Sequence, residues 1–144
     1  MTCANATPKF GKSACGVTKY LLDTTVLVDY MKGRRQVHDL LESLTEAGHE
    51  MGICCVNVAE VYAHLRPSEE SRGEFLLSSL AYYEVTEGVA RQAGRYQYDF
   101  ARKGLTLGTP DAIVAATAQQ EGAVLVTANV KDFSMDGLHL LEQP

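Results

Sequence analysis

The sequence lacks any apolar run close to the roughly 20 residues that a membrane-spanning helix needs. Its first residues carry two lysines without the apolar segment of a secretory signal, so we expect no such signal. Cysteine is scarce, and no Cys-x-x-Cys pair or Cys/His spacing typical of a structural zinc site occurs. The adjacent Cys54 and Cys55 are predicted to be buried free thiols, as in a protein of the reducing cytoplasm.

Positive charge is also in short supply. The chain has 13 Lys and Arg against 18 Asp and Glu, a formal net charge of -5. This balance argues against nucleic-acid binding through bulk positive charge. It does not argue against a nuclease, because a site built of carboxylates adds negative charge that a bound metal offsets.

The length and composition indicate one folded domain. A chain of 144 residues with 46% apolar residues can fill a single core. Residues 1–18 show neither helical nor strand periodicity, and we interpret them as a flexible leader or an extended start. Residues 19–144 are predicted to form the domain.

Short apolar runs alternate with helical patterns along this domain. Residues 20–22 form a run that Asp23 stops, and residues 123–126 form the clearest buried strand. Between them, apolar positions recur at intervals of three and four, for example at 37, 40, 41 and 44. Because the strands lack period two, we predict an α/β fold with a parallel sheet covered on both faces.

Two local expectations concern the helices in the middle of the chain. Asn57 is interpreted as an N-cap, with Glu60 as its partner in a capping box. The helix after Pro67 is predicted to bury Phe75 on its apolar face, together with Leu76, Leu77 and Leu80.

Four acidic residues are predicted to meet at one edge of the sheet. Asp23 ends the first strand, and Asp132 lies in the loop after residues 123–126. Glu60 and Asp111 lie in the first turns of predicted helices. Ligands of open parallel sheets bind outside the carboxyl ends of the strands, which is where these side chains are expected.

Carboxylates gathered in one cleft repel each other and need a counter-ion. Mg²⁺ and Mn²⁺ prefer carboxylate and water ligands, so a hard divalent cation fits this composition. Such a cation lowers the pKa of a bound water and stabilises charge on a phosphodiester oxygen.

Four segments resemble, in order, the motifs of PIN-domain nucleases, especially the VapC-like toxins of bacterial and archaeal toxin–antitoxin pairs. They are LDTTVLV at 22–28, NVAEVY at 57–62, DAIVAATA at 111–118 and LVTANVKDF at 125–133. Each motif alone is weak, but four in the right order are specific. The resemblance covers roughly residues 19–141.

This resemblance implies a three-layer α/β/α sandwich around a parallel sheet. It further implies an Mg²⁺- or Mn²⁺-dependent endoribonuclease that acts on RNA, forms a homodimer and is inhibited by a cognate antitoxin protein. By the family pattern Asp23, Glu60 and Asp111 are residues of the metal site. The fourth position is open between Asp132 and Asn129.

The same pattern assigns supporting roles to two hydroxyl side chains. Thr127 would support the site, and so would Thr25, at a position where the family often has Asn or Ser. Arg91, Arg95 and Arg102 lie near one helix face and could bind the RNA backbone, or simply form a solvated surface.

Rival interpretations stay open at this point. Each acidic residue alone could cap a helix or lie in a turn. A catalytically inactive PIN-like binding module is one alternative function. A phospho-acceptor signalling domain is another, although it needs an acidic pair near the first strand, and the single Asp23 argues against it.

Overall fold

The computed structural model describes residues 16–144, which form five strands and six α-helices. The strands are β1 (Lys19–Leu22), β2 (Glu50–Ile53), β3 (Ala81–Tyr82), β4 (Val124–Thr127) and β5 (His139–Glu142). The helices are α1 (Thr24–Met31), α2 (Arg35–Glu46), α3 (Cys55–His64), α4 (Glu70–Ser78), α5 (Glu87–Arg102) and α6 (Thr109–Glu121). Short 3-10 turns lie at Pro67–Glu69 and Val130–Asp132.

The leader predicted for residues 1–18 falls, over positions 1–15, outside the described residues. Thr18 is fully buried, and its backbone N–H donates to His49 Nδ1 at 3.1 Å. The backbone N–H of Glu50 donates in turn to the carbonyl of Thr18 at 3.0 Å. Thr18, the residue just before β1, is therefore packed into the domain.

All five strands are parallel, in the order β3-β2-β1-β4-β5. The central strand β1 pairs with β2 on one side and β4 on the other, with Leu21 opposite Gly52 and Leu125. Every residue of β4 is buried, as expected where helices cover both faces of a parallel sheet. The predicted α/β class is confirmed.

Successive residues of the central strands serve two separate cores. Leu21 and Leu125 pack against α5 and α6 on one face. Leu22 and Val126 pack on the other face against α1, α2 and α3. This alternation follows from the two-residue period of a strand and produces the three-layer α/β/α sandwich. Among the described helices, none combines the length and the apolar character that crossing a membrane requires.

Helix α6 runs from the carboxyl ends of the strands back to their amino ends. Its last turn lies beside the start of β1, where the Lys19 ammonium and the Glu121 carboxylate are 3.0 Å apart. The helix ends at Gly122, whose left-handed backbone (φ 64°) turns the chain into β4. Thirteen residues of α-helix span about 20 Å. The first turn of α6, which contains Asp111, therefore lies at the opposite edge, outside the carboxyl ends of the strands.

The start of α3 corrects one expectation. Cys54, not Asn57, is the N-cap, and Asn57 lies inside the first turn. The side-chain oxygen of Asn57 accepts the backbone N–H of Cys54 at 2.8 Å, so Asn57 acts as the third-residue partner of a cap. The predicted Asn57–Glu60 capping box is wrong because the strand before it ends at Ile53.

Two predicted burials are also wrong. Phe75 is 80% exposed, because the inward side of α4 runs through Gly73, Leu76 and Leu77 and leaves position 75 outside it. Leu80 also packs inward but lies beyond the end of the helix. Cys55 is exposed, while Cys54 is fully buried. Cys55 opens α3 and turns outward, so the pattern of an apolar run did not distinguish the two thiols.

Tyr83 packs against the backbone of β2 where only glycine fits. A Cβ on Gly52 would lie 2.3 Å from the Tyr83 ring, which is buried and held by a 2.8 Å hydrogen bond from its hydroxyl to Glu50. We expect Gly52→Ala to lower the free energy of unfolding by about 1–3 kcal/mol, measured by urea denaturation.

The matched control is Gly94→Ala in α5, where an added Cβ meets no atom within 4 Å. This variant should be more stable than wild type by roughly 0.5–1 kcal/mol, because alanine restricts the unfolded chain. Equal stabilities of the two variants would contradict the packing role assigned to Gly52.

Candidate active site

Asp23 lies where β1, α1 and β4 meet, and it is only 6% exposed. It is the N-cap of α1, with Oδ1 accepting the backbone N–H of Thr24 at 2.8 Å. Its Oδ2 accepts the hydroxyl of Thr127 at 2.7 Å. Its own backbone N–H donates to the carbonyl of Val126 at 2.9 Å. Both carboxylate oxygens are therefore oriented by donors from two different elements.

Thr127, the last residue of β4, is fully buried. Besides donating to Asp23, its Oγ1 accepts the backbone N–H of Asn129 at 3.1 Å. A hydroxyl that accepts one bond has its proton left for another, so Asn129 directs the proton of Thr127 toward Asp23. This is how the loop after β4 helps to orient the aspartate.

Glu60 is held from the α1 side of the site. Its Oε1 accepts the hydroxyl of Thr24 at 2.6 Å, and that hydroxyl oxygen lies 3.4 Å from the donating Nδ2 of Asn57. Asn57 is fully buried, and its other amide atom caps α3. Sequence reasoning did not assign a role to Thr24; its position directly after Asp23 was the available signal.

Asp111 and Asp132 approach from the other side. Asp111 lies in the first turn of α6 and is half-buried. Asp132 ends the 3-10 turn after β4 and is exposed. The backbone N–H of Asp132 donates to the carbonyl of Asn129 at 2.9 Å. The Asn129 side chain makes no hydrogen bond to any residue between 16 and 144. The charge of Asp132, by contrast, raises the pKa of Asp111.

Electrostatic interactions link the four carboxylates. Burial raises the pKa of Asp111, and the negative charges of Asp23, Glu60 and Asp132 raise it further. Burial also raises the pKa of Asp23; hydrogen bonds from Thr127 and Thr24 oppose this, and the charge of Glu60 adds to it. Within the described part of the chain, no lysine or arginine forms an ion pair with any of the four. Their negative charge is thus uncompensated by these residues.

The oxygen donors of the site fit a hard cation that needs only one or two carboxylates. Among residues 16–144, no three Asp, Glu, His or Cys side chains are grouped so that they could surround one ion. Mg²⁺ is usually bound by one or two carboxylates, with waters and substrate phosphates completing its octahedron. Asp23 and Asp111 are oxygen donors that meet this need, and their uncompensated charge favours a divalent cation.

Thr25, which was expected to support the site, has a different partner. Its hydroxyl donates to Oε1 of Gln143 at 3.1 Å, away from the carboxylates. The hydroxyl that contacts an acidic side chain of the site is that of Thr24. The difference arises because Asp23 caps α1, which places consecutive threonines on different sides of its first turn.

The arginines of α5 lie on its outer face. Arg91, Arg95 and Arg102 are all exposed, opposite the buried side of the helix. Arg91 pairs with Glu87, and Arg102 lies 4.6 Å from the ring centre of Tyr98. Their contact with RNA stays a prediction.

Comparison with known proteins decides the family. The PIN domain family matches residues 20–134. The chain belongs to the PIN-domain family. Its motif resemblance to VapC-like proteins is confirmed by a relative, ribonuclease VapC19 of Mycobacterium tuberculosis, which is 33% identical over 115 residues. That match covers 80% of this chain and 92% of the relative.

Several solved structures share the fold along most of the chain. VapBC2 from Rickettsia felis, bound to a DNA fragment from its promoter, superposes with a TM-score of 0.79 at 25% identity. The match covers 88% of this chain and 100% of that one. A toxin–antitoxin complex from Klebsiella pneumoniae gives a TM-score of 0.70 at 26% identity, covering 85% and 95%.

The raised pKa of Asp111 predicts a pH-dependent stability. Because its folded pKa lies above the unfolded value of about 3.9, the folded state binds a proton more readily than the unfolded chain. The ionised form therefore destabilises the fold at neutral pH, and this penalty disappears as pH falls below the unfolded pKa. We expect Asp111→Asn to raise Tm at pH 7 by about 2 °C, measured by calorimetry.

The difference in Tm between this variant and wild type should shrink as the pH is lowered and approach zero at about pH 3, roughly one unit below the unfolded pKa. Asp39→Asn, at an exposed position of α2, is the control and should leave Tm unchanged at both pH values. A lower Tm for Asp111→Asn at pH 7 would show that its carboxylate stabilises the fold instead.

Proposed function

We propose that this chain is an Mg²⁺- or Mn²⁺-dependent endoribonuclease that acts as a homodimeric toxin and is inhibited by a cognate antitoxin. The observation that carries the proposal is the electrostatic coupling of Asp23, Glu60, Asp111 and Asp132 at one edge of the sheet. These residues come from four separate parts of the chain, and no lysine or arginine among residues 16–144 forms an ion pair with them. Curated relatives named ribonuclease VapC support RNA as the substrate.

A divalent cation fits the substrate as well as the site. An RNA phosphodiester is negatively charged, so uncompensated carboxylates would repel it. The cation, when bound, lowers the pKa of a water and offsets charge on the phosphodiester oxygens. It is therefore needed for binding as well as for chemistry.

The residues of the chain have separable roles in this proposal. Asp23 and Asp111 would hold the cation directly and Asp132 through a bound water, with Asp23 kept in one orientation by Thr127 and by the backbone of α1. Glu60 would hold the cation or orient the attacking water. Its carboxylate is positioned for either role by the hydroxyl of Thr24.

Replacing Asp23 tests the proposal directly. Asp23→Asn keeps the side-chain shape and the oxygen that caps α1 but removes the charge. We expect cleavage of single-stranded RNA in Mn²⁺ to fall by at least about 100-fold. Mn²⁺ binding, measured by calorimetry, should weaken in parallel.

Asp39→Asn removes an exposed carboxylate elsewhere and should cleave like wild type. Full activity of Asp23→Asn at saturating Mg²⁺ would refute the role given to Asp23. A wild-type protein that binds the antitoxin but neither Mn²⁺ nor RNA would favour the inactive PIN-like module.

We further propose that the antitoxin occupies a groove between α1, α2 and α4. This groove has a volume of about 450 Å³ and includes the side chains of Tyr30, Met31, His38, Arg72, Phe75 and Leu76. Phe75 is 80% exposed there, and a large exposed apolar side chain in a concave surface is typical of a docking site. The solved structures with this fold include toxin–antitoxin complexes, which supports the choice of occupant.

The groove proposal predicts selective loss of antitoxin binding. With the product of the adjacent reading frame as partner, Phe75→Ser should weaken binding at least about tenfold, since buried aromatic anchors dominate interfaces. Leu105→Ser, at an exposed apolar side chain just after α5, is the control and should bind normally. Both variants should cleave RNA at the wild-type rate. Equal binding by the two variants would place the antitoxin elsewhere.

A further inference from the structure

Gln143, the second-last residue, is a polar side chain that the structure buries to 7% exposure. Its Oε1 accepts the Thr25 hydroxyl at 3.1 Å, and its Nε2 donates to Asp29 Oδ2 at 2.7 Å. Its backbone N–H donates to the carbonyl of Thr127 at 2.9 Å. Both ends of the buried amide are therefore paired, as buried polar groups require.

These contacts join the two elements that hold Asp23. Thr25 and Asp29 are four residues apart and so share one face of α1. Thr127 ends β4. The carboxylate of Asp23 is held by the same pair of elements, through the N-terminus of α1 and the Thr127 hydroxyl. Any shift of α1 against β4 would change the distance between those two donors.

The contact with Asp29 is a charge-assisted one. Asp29 Oδ2 also accepts from Nη1 of Arg34 at 3.0 Å, so the same oxygen binds the amide and a guanidinium. An amide at position 143 can donate to this carboxylate, whereas a carboxylate there would repel it. Glutamine is therefore chemically specific at this position, not only sterically suitable.

We propose that Gln143 is a positioning residue of the active site, which sets the orientation of the Asp23 carboxylate by fixing α1 against β4. The inference rests on the proposed function. Gln143 touches none of the four carboxylates and acts through Thr127 and the first turns of α1.

The test is Gln143→Met, which keeps the length of the side chain and removes both of its hydrogen bonds. We expect the dissociation constant for Mn²⁺ alone, measured by calorimetry well below Tm, to rise about tenfold, as for other residues that orient a metal ligand. In RNA cleavage at saturating Mn²⁺, kcat should fall while KM changes little, because the proposal gives Gln143 a role in orienting Asp23 and none in binding the substrate.

Tyr83→Phe is the structural control. It removes a partly buried hydrogen bond, from the Tyr83 hydroxyl to Glu50 at 2.8 Å, near the amino ends of the strands. This variant should lose stability without a change in Mn²⁺ affinity. A purely structural role for Gln143 would make the two variants behave alike.

A charge exchange supplies the rescue. Gln143→Glu places a carboxylate against Asp29 and should weaken Mn²⁺ binding at least as much as Gln143→Met. In the double variant Asp29→Asn/Gln143→Glu, the amide at position 29 can donate to the carboxylate at 143. We expect it to restore the Mn²⁺ dissociation constant to within about threefold of wild type.

The outcomes separate the two proposals. Wild-type protein that binds Mn²⁺ and cleaves RNA, with an unchanged dissociation constant in Gln143→Met, overturns the role of Gln143 alone. Wild-type protein that binds no Mn²⁺ overturns the proposed function and this inference with it. Should Gln143→Met fail to fold, Thr25→Val removes one bond of the same link and must weaken Mn²⁺ binding if the inference holds.

Discussion

Mutual repulsion among carboxylates at the carboxyl edge of the sheet is the constraint on which the arrangement of this protein depends. Burial raises the pKa of Asp23 and of Asp111, and neighbouring negative charges raise both further. Such a cluster persists only if the surrounding fold holds it together. Asp23 is the best held, with donors from α1 and β4 on its two oxygens.

The rest of the fold supplies the rigidity that this cluster needs. Parallel strands with two buried faces place β1 and β4 side by side, so that their carboxyl ends deliver Asp23 and Thr127 to one point. Helix α6 returns Asp111 to that edge, and α3 contributes Glu60 through the Thr24 hydroxyl. The chain's last residues close the same region, because Gln143 links α1 to the end of β4. The carboxylates are therefore positioned by contacts between residues far apart in sequence.

Several errors of the sequence reasoning share one cause. Asn57 resembles an N-cap, yet the backbone enters α3 earlier and the same side chain caps it from within the first turn. Phe75 has the apolarity of a core residue, yet it faces outward from α4. Thr25 and Thr24 are identical neighbours, and only the rotation of α1 decides which one contacts Glu60. In each case the residue type allowed more than one partner or environment for the side chain. The direction in which the folded backbone points the side chain determined which one it has.

By itself the sequence determined the alternation of strands and helices, the parallel sheet and the family, because hydrophobic period and short motifs are local properties of the chain. It also placed four acidic residues at strand ends and helix starts, where the topology of a parallel sheet brings them to one edge. Only the tertiary structure decided the partners of those residues, such as Thr127 for Asp23 and Gln143 for Thr25. These pairs are more than 100 positions apart, and their contact depends on the packing of whole elements, which no local pattern encodes.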